Sequence, residues 1–429
     1  MKASLSLTII GLLLIQTFAY SQEDPWQKVE FGGELPPLRY PTATHEPGWG
    51  YMLLYGGQSA IDNFYNPDVW VFDFEEGTWV QAPLPQEHPA ARAKHAATGI
   101  DGKLYVFGGE TADGTTTDAW AYDPLANTWE QQPFAQDGTY EENPKHYHRA
   151  CAGESNIWIT GGLDLTTGQA TGAIWGYNPL TETWTKGADC PSPRYGHIAY
   201  YNDGKVIITG GRQGNNLLDD SWEYEVAENI WVQGNRPPLP EPTKFPAYDY
   251  NNEILFAAGG YIQDEEGYFE ASTGCYSTDE VEFTWHTHTP SPASLTELEL
   301  ALMPSVNKKE GNMEDFSALV YGIADDGNGN YIGETWIYNS AYDPLVGYSE
   351  SLQKSDFKIY PTITSGDITI SSKTNLQQIE VYNLQGQLIL QQRTNDAELS
   401  INLRGNVKGS YFIRVRTNKA YSISKVMLF

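Results

Sequence analysis

A basic residue and a histidine recur together three times in the first half of the chain. Each basic residue stands three positions before its histidine, in the pairs Arg92 and His95, Lys145 and His148, and Arg194 and His197. A guanidinium offers a planar pair of donors for a carboxylate, and an imidazole can bond to protein groups or to a metal. We interpret the three histidines as hydrogen-bond partners between neighbouring repeats, and a ligand role for the basic residues stays open.

Two other motifs have the residue types of a metal site. Residues 326–330 have the oxygen spacing of a calcium loop, but Tyr331 and Ile337 replace the required glycine and glutamate. His286 and His288 fall on one face of a predicted strand, but no third ligand is identifiable. The sequence therefore predicts a glycine-rich hairpin loop at 326–330, and no metal or cofactor.

The composition indicates an ordered, acidic, all-β protein. Among 429 residues, 26 Lys and Arg face 55 Asp and Glu, which gives a net charge of −29. Such a charge disfavours binding to nucleic-acid phosphates or anionic lipids. Aromatic residues make up 13% of the chain, and 41 Gly and 25 Pro indicate many turns. Three cysteines cannot form a disulfide framework, although Cys151 and Cys190 lie near neighbouring repeats and could pair.

The first 21 residues have the pattern of a signal peptide. Lys2 is followed by an apolar stretch over residues 5–18, and Ala19 and Ser21 are the small residues that precede a cleavage site. This stretch is shorter than a membrane-spanning helix needs, and no other segment approaches that length. We therefore expect a secreted protein that is not an integral membrane protein.

Pairs of adjacent glycines recur between residues 56 and 260. Each pair follows an apolar or aromatic run, and the first glycines are 52, 53, 49 and 49 residues apart. A period near 50 is typical of one propeller blade per repeat. We expect the pairs to mark strand ends where φ is positive or a side chain would collide. The pairs are Gly56 and Gly57, Gly108 and Gly109, Gly161 and Gly162, Gly210 and Gly211, and Gly259 and Gly260.

An outer tryptophan completes each repeat. It stands nine residues after another aromatic residue, with turn residues such as Asp123-Pro124 between the two predicted strands. We expect each indole to fill the wedge between neighbouring sheets. These residues are Trp79, Trp129, Trp184, Trp231 and Trp285.

A sixth repeat is incomplete. It has one glycine of the pair, Gly322, and an aromatic at Trp336, but Leu345 stands where the outer tryptophan is expected. Trp26, near the start of the mature chain, has the flanking sequence of the missing strand. We therefore predict that the N-terminal strand completes the sixth sheet and closes the ring.

These glycine pairs, aromatic pairs and spacings resemble the kelch-repeat family over residues 22–343. The resemblance implies a six-bladed kelch β-propeller closed by an N-terminal outer strand. In kelch propellers, the loops between blades and those after the glycine pair share one face, which implies a set of ligand-binding candidates. They are Arg39, Gln58, Arg92, Glu110, Lys145, Tyr147, Arg194, Tyr195, Arg212 and Tyr261.

The C-terminal residues 356–429 form a different unit. They contain 5 acidic and 9 basic residues, so their net charge is +4 against −33 for the rest. Their short alternating strands predict a small Ig-like β-sandwich after a linker over residues 344–355. The segments 357–361, 381–386 and 409–412 resemble the C-terminal sorting domain of the type IX secretion system of Bacteroidota. The resemblance implies contact with that secretion machinery and delivery to the outside or the outer cell surface.

Two classes of function follow from the propeller resemblance. The first is a secreted or cell-surface scaffold that binds a glycan or protein ligand through its loops. The second is a sugar-active enzyme, since the resemblance extends to sialic-acid mutarotases and to copper-radical galactose oxidases. A mutarotase would use arginines and a glutamate at the channel mouth, for which Arg39, Arg92, Arg194 and Glu110 are available. The sequence has no nucleophile elbow, phosphate loop or clear metal cluster, so we favour the scaffold.

Overall fold

The computed structural model is all-β in the residues that it describes. These residues are 25–29, 35–45, 51–74, 77–133, 145–234, 236–250, 254–264, 266–279, 284–292, 295–303, 317–325, 330–340, 357–360, 363–364, 366–372, 375–383, 388–417 and 421–428. The predicted signal peptide, the predicted linker and residues 326–329 of the calcium-type motif lie outside this set. Within the set, no helix has the length and apolar character needed to cross a membrane.

In the described residues, six antiparallel sheets with four main strands each, numbered here as blades, follow one another along the chain, and Arg92–Ala93 adds a fifth short strand to the second. Blade 1 contains Thr42–Thr44, Tyr51–Tyr55, Val69–Asp73 and Thr78–Gln81. Blade 2 contains Ala96–Ile100, Lys103–Thr111, Gly114–Asp123 and Thr128–Gln132. Blade 3 contains Arg149–Ala152, Ile157–Thr160, Ile174–Asn178 and Thr183–Lys186.

The remaining blades repeat the same strand order. Blade 4 contains Ile198–Asn202, Lys205–Thr209, Ser221–Glu225 and Ile230–Gln233. Blade 5 contains Ala247–Tyr250, Ile254–Ala258, Cys275–Asp279 and Trp285–Thr287. Blade 6 contains Thr296–Met303, Ser317–Asp325, Tyr331–Asn339 and the N-terminal strand Trp26–Lys28. The first strand of each blade contacts those of both neighbours, and blade 6 contacts blade 1, so the sheets form a closed β-propeller.

The N-terminal strand closes the ring as the sequence predicts. Trp26 pairs with Tyr338, and Lys28 pairs with Trp336, in antiparallel register. The same register joins Trp129 to Tyr122 in blade 2. The first and last parts of the propeller sequence therefore share one sheet, in which Trp26–Lys28 covers the outer edge of Tyr331–Asn339.

The outer tryptophans pack against the preceding blade. The Trp79 indole donates to Thr335 Oγ1 of blade 6 at 2.8 Å, and the Trp26 indole donates to Thr289 O after blade 5 at 3.0 Å. Three more indoles donate to backbone carbonyls just after the preceding blade; they belong to Trp184, Trp231 and Trp285. Trp129 instead lies against Tyr55 of blade 1, with ring centroids 4.9 Å apart. Each indole thus fills the wedge between two sheets.

The paired glycines bend the chain at the end of the second strand of blades 1 to 5. All of them have positive φ, with 55° and 102° at Gly108 and Gly109. A Cβ on Gly161 would lie 2.4 Å from Arg194 O of the next blade, and one on Gly211 would lie 2.8 Å from His197 Cβ. Both reasons expected from the sequence therefore apply: the backbone is left-handed and the space is filled.

After the glycine bend, the chain pairs with the segment that enters the first strand of the same blade, through short ribbons in blades 1 to 3 and through single bridges in blades 4 and 5. The paired segments are Leu38–Arg39 with Gln58–Ser59, Arg92–Ala93 with the end of Lys103–Thr111, and Lys145–His146 with Leu163–Asp164. Leu163–Asp164 also pairs with Gln169–Ala170. Further ribbons join Arg212–Gln213 to Asn216–Leu217 and Tyr261–Gln263 to Phe269–Ala271. We call the side of the propeller formed by these ribbons the loop face.

The C-terminal residues form two sheets around a core of their own. One sheet contains Phe357–Tyr360, Asp367–Ser372 and Glu398–Asn402. The other contains Ile363–Thr364, Tyr421–Leu428, Gly409–Thr417, Leu376–Asn383 and Leu388–Arg393. Ile370 of the first sheet and Val381 and Ile413 of the second are buried in the same apolar cluster. The unit is therefore a β-sandwich, and its Ig-like subclass stays a prediction.

Candidate functional site

One left-handed residue per blade surrounds the propeller axis on the loop face. Each lies immediately before or close to the start of the first strand, with φ between 51° and 63°. The six residues are Tyr40, Lys94, Tyr147, Gly196, Phe245 and Glu297. Backbone hydrogen bonds join them from blade to blade: Lys94 N to Tyr40 O, Tyr147 N to Lys94 O, Gly196 N to Tyr147 O, and Phe245 N to Gly196 O. These bonds, 2.7 to 3.2 Å long, fix the inner ends of neighbouring blades to each other.

Three aromatic side chains of this ring meet over the axis. The ring centroids of Tyr147 and Phe245 are 4.5 Å apart, and those of Tyr40 and Tyr147 are 5.6 Å apart. A Cβ on Gly196 would lie 2.3 Å from the Phe245 ring, so glycine leaves the space that this ring occupies. Tyr195 stacks beside Tyr147 with an interplanar angle of 27°. We call Tyr40, Tyr147 and Phe245 the aromatic plug, because they cover the loop-face end of the channel.

Basic side chains border the aromatic plug. The Lys94 ammonium lies 5.6 Å from the Tyr40 ring centre and is ion-paired with Glu110. The Lys244 ammonium lies 3.4 Å from the centre of the Phe269 ring, and the Arg212 guanidinium lies 4.5 Å from the same ring. Burial and the charge of Arg212 lower the pKa of Lys244 to about 8, so it stays largely protonated at pH 7. The face therefore combines ring surfaces with cations.

An open groove of about 460 Å³ lies beside the plug, between the ribbons of blades 1, 5 and 6. The predicted residues Arg39, Gln58 and Tyr261 line it together with Glu297 and Tyr331. Tyr261 OH donates to Glu297 at 2.6 Å, and the Arg39 guanidinium lies 5.5 Å from the Tyr331 ring centre. Burial raises the pKa of Glu297, while the hydrogen bond and the nearby charge of Arg39 oppose that shift. The groove thus presents both donors and acceptors.

Arg92 and Arg194, both predicted at the ligand face, lie instead inside their blades. Arg92 is 0% exposed and forms two hydrogen bonds with Asp118, at 2.6 and 2.8 Å. Arg194 is 1% exposed and bonds to Asp220 at 2.9 Å. Each also donates to the first glycine carbonyl of its own blade. Their role is structural, and the prediction that they meet a ligand is corrected.

A one-residue offset in the sequence explains this difference. Arg92, Lys145 and Arg194 occupy equivalent positions, whereas Arg39 and Lys244 stand one position later in their repeats. Because side chains alternate across an extended segment, a shift of one residue moves a side chain to the opposite side. Lys145 accordingly lies near Gly108 and His148, between blades, and burial lowers its pKa. Like the two arginines, it does not line the groove or the plug.

The three repeated histidines bridge neighbouring blades through hydrogen bonds, as predicted from the sequence. His95 Nε2 lies 2.7 Å from Thr42 Oγ1 of blade 1, and His148 Nε2 lies 3.0 Å from Phe107 O of blade 2. His197 Nε2 lies 2.8 Å from Thr160 Oγ1 of blade 3. Burial lowers the pKa of all three, to about 3 for His148, so they are neutral at pH 7.

His288 and the three cysteines are buried in the propeller. His288 contacts Ser277 Oγ at 2.7 Å and Tyr338 OH at 2.8 Å. Across the part of the chain that the structure describes, no three His, Cys, Asp or Glu residues are grouped as metal ligands. The cysteines are buried free thiols, so the possible pairing of Cys151 with Cys190 does not form.

The side chains of seven of the ten predicted residues therefore lie at the loop face, together with several that the sequence did not indicate. The seven are Arg39, Gln58, Glu110, Tyr147, Tyr195, Arg212 and Tyr261. The missed residues are Tyr40, Lys94, Lys244, Phe245, Phe269, Glu297 and Tyr331. A signal was present for some of them, because Lys94, Tyr147, Gly196 and Phe245 each stand 14 residues before a first glycine. Their residue types differ, which hid the shared position.

Comparison with known protein families agrees with both parts of the fold. Residues 17–188 match the KLHDC2/KLHL20/DRC7 Kelch-repeats domain. Residues 358–428 match the Secretion system C-terminal sorting domain. The first match covers half of the propeller sequence, and the second covers almost all of the β-sandwich.

Individual relatives match only a portion of this chain. Kelch-like protein 15 of Danio rerio is 23% identical over 211 residues, which are 44% of this chain and 33% of that protein. Kelch domain-containing protein 10 of Homo sapiens is 26% identical over 202 residues, 45% of this chain and 46% of the relative. Kelch-like protein 35 of Mus musculus is 33% identical over 168 residues, 38% of this chain and 25% of the relative. The chain thus spans less than half the length of each.

The fold and the ring of loop-face residues define the protein as a β-propeller with a separate C-terminal sandwich. The matches add that residues 17–188 contain a Kelch-repeats domain and that residues 358–428 contain a secretion system C-terminal sorting domain. The sorting domain indicates export through the type IX secretion machinery to the cell surface or the outside of the cell.

Proposed function

We propose that this protein is an exported binding scaffold whose loop face holds a carboxylate- or sulfate-bearing glycan. The single observation that supports this proposal most strongly is the meeting of the aromatic plug with Lys94, Arg212 and Lys244 on one face of a protein with net charge −29. Sugar rings stack on aromatic faces, and guanidinium and ammonium groups bond to acidic substituents. An acidic protein segment is the competing ligand class.

The balance of charges on this face favours an acidic ligand. Around the plug and the groove, four cationic side chains, Arg39, Lys94, Arg212 and Lys244, lie with two carboxylates, Glu110 and Glu297. Long-range repulsion from the rest of the molecule would slow the approach of an anion, so affinity must come from short directional contacts. Arg212 supplies such a contact, since its guanidinium lies at the ribbon surface beside Tyr195.

The groove beside the plug extends this surface. Arg39 and Tyr261 stand on opposite sides of Glu297, and the volume of about 460 Å³ is within the range of ligand pockets. A sugar substituent in the groove would meet the Arg39 guanidinium and the Gln58 amide. We propose that the glycan chain runs from the plug into this groove.

The route to the outside rests on two segments. We propose that residues 1–21 direct the chain across the inner membrane, and that the C-terminal sandwich directs it through the type IX machinery. Removal of the sandwich after passage, and an origin in Bacteroidota, are also parts of this proposal.

The residues that would support a mutarotase do not lie together at the channel mouth. The mutarotase set needs Arg39, Arg92, Arg194 and Glu110 at the channel mouth. Two of these, Arg92 and Arg194, are buried in ion pairs within their blades. The remaining two do not converge, because Glu110 is paired with Lys94 and Arg39 lies in the groove. We therefore favour binding without catalysis.

A glycan array probed with residues 22–429 tests the proposal. The array should contain carboxylated, sulfated and neutral glycans, so that acidic and neutral ligands compete on the same surface. We expect acidic glycans to bind and Lys94→Ala to weaken that binding, while Lys103→Ala, at the turn opposite the loop face, leaves it unchanged. Binding of acidic peptides alone would reassign the ligand class. If NMR shows that the protein accelerates the exchange of a bound sugar between its two anomers, the enzyme alternative is favoured.

A further inference from the structure

A second cavity, of about 410 Å³, lies inside the propeller channel. Arg149 and Glu299 line this cavity and also the small space directly beneath the aromatic plug. At its far end, the described lining residues include Ile100, the last residue of the first strand of blade 2, and Gly153 and Glu154, which follow the first strand of blade 3. The cavity is therefore separated from the loop face by the plug and reaches toward the opposite face.

The walls of this channel cavity differ in character. One wall, from blades 4 and 5, is aromatic and contains Tyr200, Tyr201, Tyr248 and Tyr250. The facing wall, from blades 1 to 3, consists mostly of small residues beside His45, Ile100 and Arg149; the small residues are Ala43, Ala96, Ala97, Thr98, Gly99, Ala150 and Ala152. The tyrosines and the small side chains opposite them leave space for one ring-shaped ligand between the two walls.

Three charged side chains line the inner part of the cavity. Arg149 Nε donates to His197 O at 3.0 Å, and its guanidinium lies 5.4 Å from the Tyr248 ring centre. One carboxylate oxygen of Asp249 accepts from Leu302 N at 2.8 Å, and the other accepts from Tyr250 N at 2.8 Å. Glu299 accepts from the backbone of Ala43. These bonds fix the side chains in place while a carboxyl group retains further acceptor sites.

We propose that the channel cavity is a second binding site, for a neutral polyhydroxylated molecule of about one sugar ring. Arg149 donates to its hydroxyl oxygens, Asp249 and Glu299 exchange hydrogen bonds with its hydroxyls, and the tyrosine wall contacts its apolar face. An anion is disfavoured because it would lie among the carboxyl groups of Asp249, Glu299 and Glu154, beside which the lining holds one arginine and His45. A cation is disfavoured by Arg149 at the inner end. Burial raises the pKa of Asp249 and Glu299 to about 7, which further favours a neutral partner.

Saturation-transfer NMR on residues 22–429 tests this site. The probes are glucose, galactose, mannose, xylose and N-acetylglucosamine, with glucuronate as the anionic and glucosamine as the cationic comparison. We expect at least one neutral sugar to give a signal, and neither charged sugar to bind more tightly than its neutral parent. If none of the five neutral sugars binds, or if a charged one binds best, the proposal is wrong.

Three variants locate the binding. Thr98→Tyr places a large side chain in the cavity, and Thr128→Tyr makes the same change on the exposed outer strand of blade 2. Lys94→Ala changes only the loop face. We expect Thr98→Tyr to reduce the neutral-sugar signal at least tenfold and the other two to retain it. Should Lys94→Ala abolish the signal while Thr98→Tyr retains it, the sugar occupies the loop face and the channel site is refuted. If Thr98→Tyr lowers the melting temperature, Thr98→Leu, a smaller enlargement of the same side chain, is measured in the same assay; a folded Thr98→Leu protein should give a weaker neutral-sugar signal, and an unchanged signal would refute the channel site.

Discussion

The rings of Trp26 and Tyr338 lie 5.0 Å apart, although these residues belong to opposite ends of the propeller sequence. Trp26 is 5% exposed, and Tyr338 is fully buried between it and Phe256. Their contact holds the N-terminal strand against blade 6 and so helps to close the ring. Blades 1 to 4 contain the same aromatic contact between residues close in sequence, as in Tyr122 and Trp129.

Trp26→Ala should therefore destabilise the propeller more than a typical surface change. Loss of a buried large aromatic side chain, with the cavity that remains, costs about 3–5 kcal/mol. Chemical denaturation of the variant measures this loss, and Lys28→Ala in the same strand is the control, since its side chain is partly exposed. A chain that starts at Tyr40 and melts at the same temperature as one that starts at Gln22 would show that closure contributes nothing.

The sequence predicts this closure because it depends on a count of repeats. Five complete units and one unit without its outer tryptophan leave Trp26 as the matching residue. The direction of the basic side chains could not be predicted in the same way. Arg39 and Arg92 look alike in sequence, but a one-residue offset places Arg39 in the groove and Arg92 inside its blade. Register decides the outcome, and register is fixed only when the strands pair.

The aromatic plug shows a second limit. Tyr40, Tyr147 and Phe245 come from alternate blades, far apart in sequence, and they meet only because the ring closes. Their shared left-handed backbone is not visible in residue type, since tyrosine and phenylalanine do not favour positive φ. The packing of the ring imposes positive φ at these residues, and no local sequence pattern predicts it.

Arg92→Ala and Arg212→Ala should separate stability from binding. Removing Arg92 leaves Asp118 without its buried partner, and breaking such a pair costs about 3–5 kcal/mol. Arg212, at the ribbon surface, should change the melting temperature little. Thermal unfolding of both variants checks this contrast. Equal losses of stability would mean that the two arginines share one role.

The channel carboxyls should make the propeller less stable as the pH rises from about 4 to 7. Burial raises the pKa of Asp249 and of Glu299 to about 7, so the folded protein binds protons that the unfolded chain has released. By linkage, the free energy of unfolding falls over this range, by an amount on the order of a few kcal/mol. The buried histidines act in the opposite direction below about pH 6.5, since their pKa values are lowered.

A comparison with the double variant Asp249→Asn, Glu299→Gln isolates the carboxyl contribution. Chemical denaturation at pH 5, 6, 7 and 8 in constant salt gives the free energy of unfolding of both proteins. We expect the difference between them to shift in favour of the variant as the pH rises. A constant difference at all four pH values would contradict the raised pKa values.

Deletion of residues 356–429 should leave a folded propeller that is not exported. The six sheets contain no strand from this segment, and its apolar core is separate. Fractionation of a host that carries the type IX system would show the truncated chain in the periplasm, while circular dichroism of the purified chain would match the propeller. Normal release of the truncated chain would refute the role of the sorting domain.

The affinity of the loop face for acidic glycans tests the central claim most directly. Calorimetric titration with a sulfated glycan from the array, and with its desulfated form, should show binding of the first only. Arg212→Ala should weaken that binding roughly tenfold or more, as loss of a charge-assisted hydrogen bond implies, while Lys103→Ala leaves it unchanged. Equal binding of the sulfated and desulfated forms, or full affinity in the Arg212→Ala protein at unchanged stability, would place the ligand elsewhere.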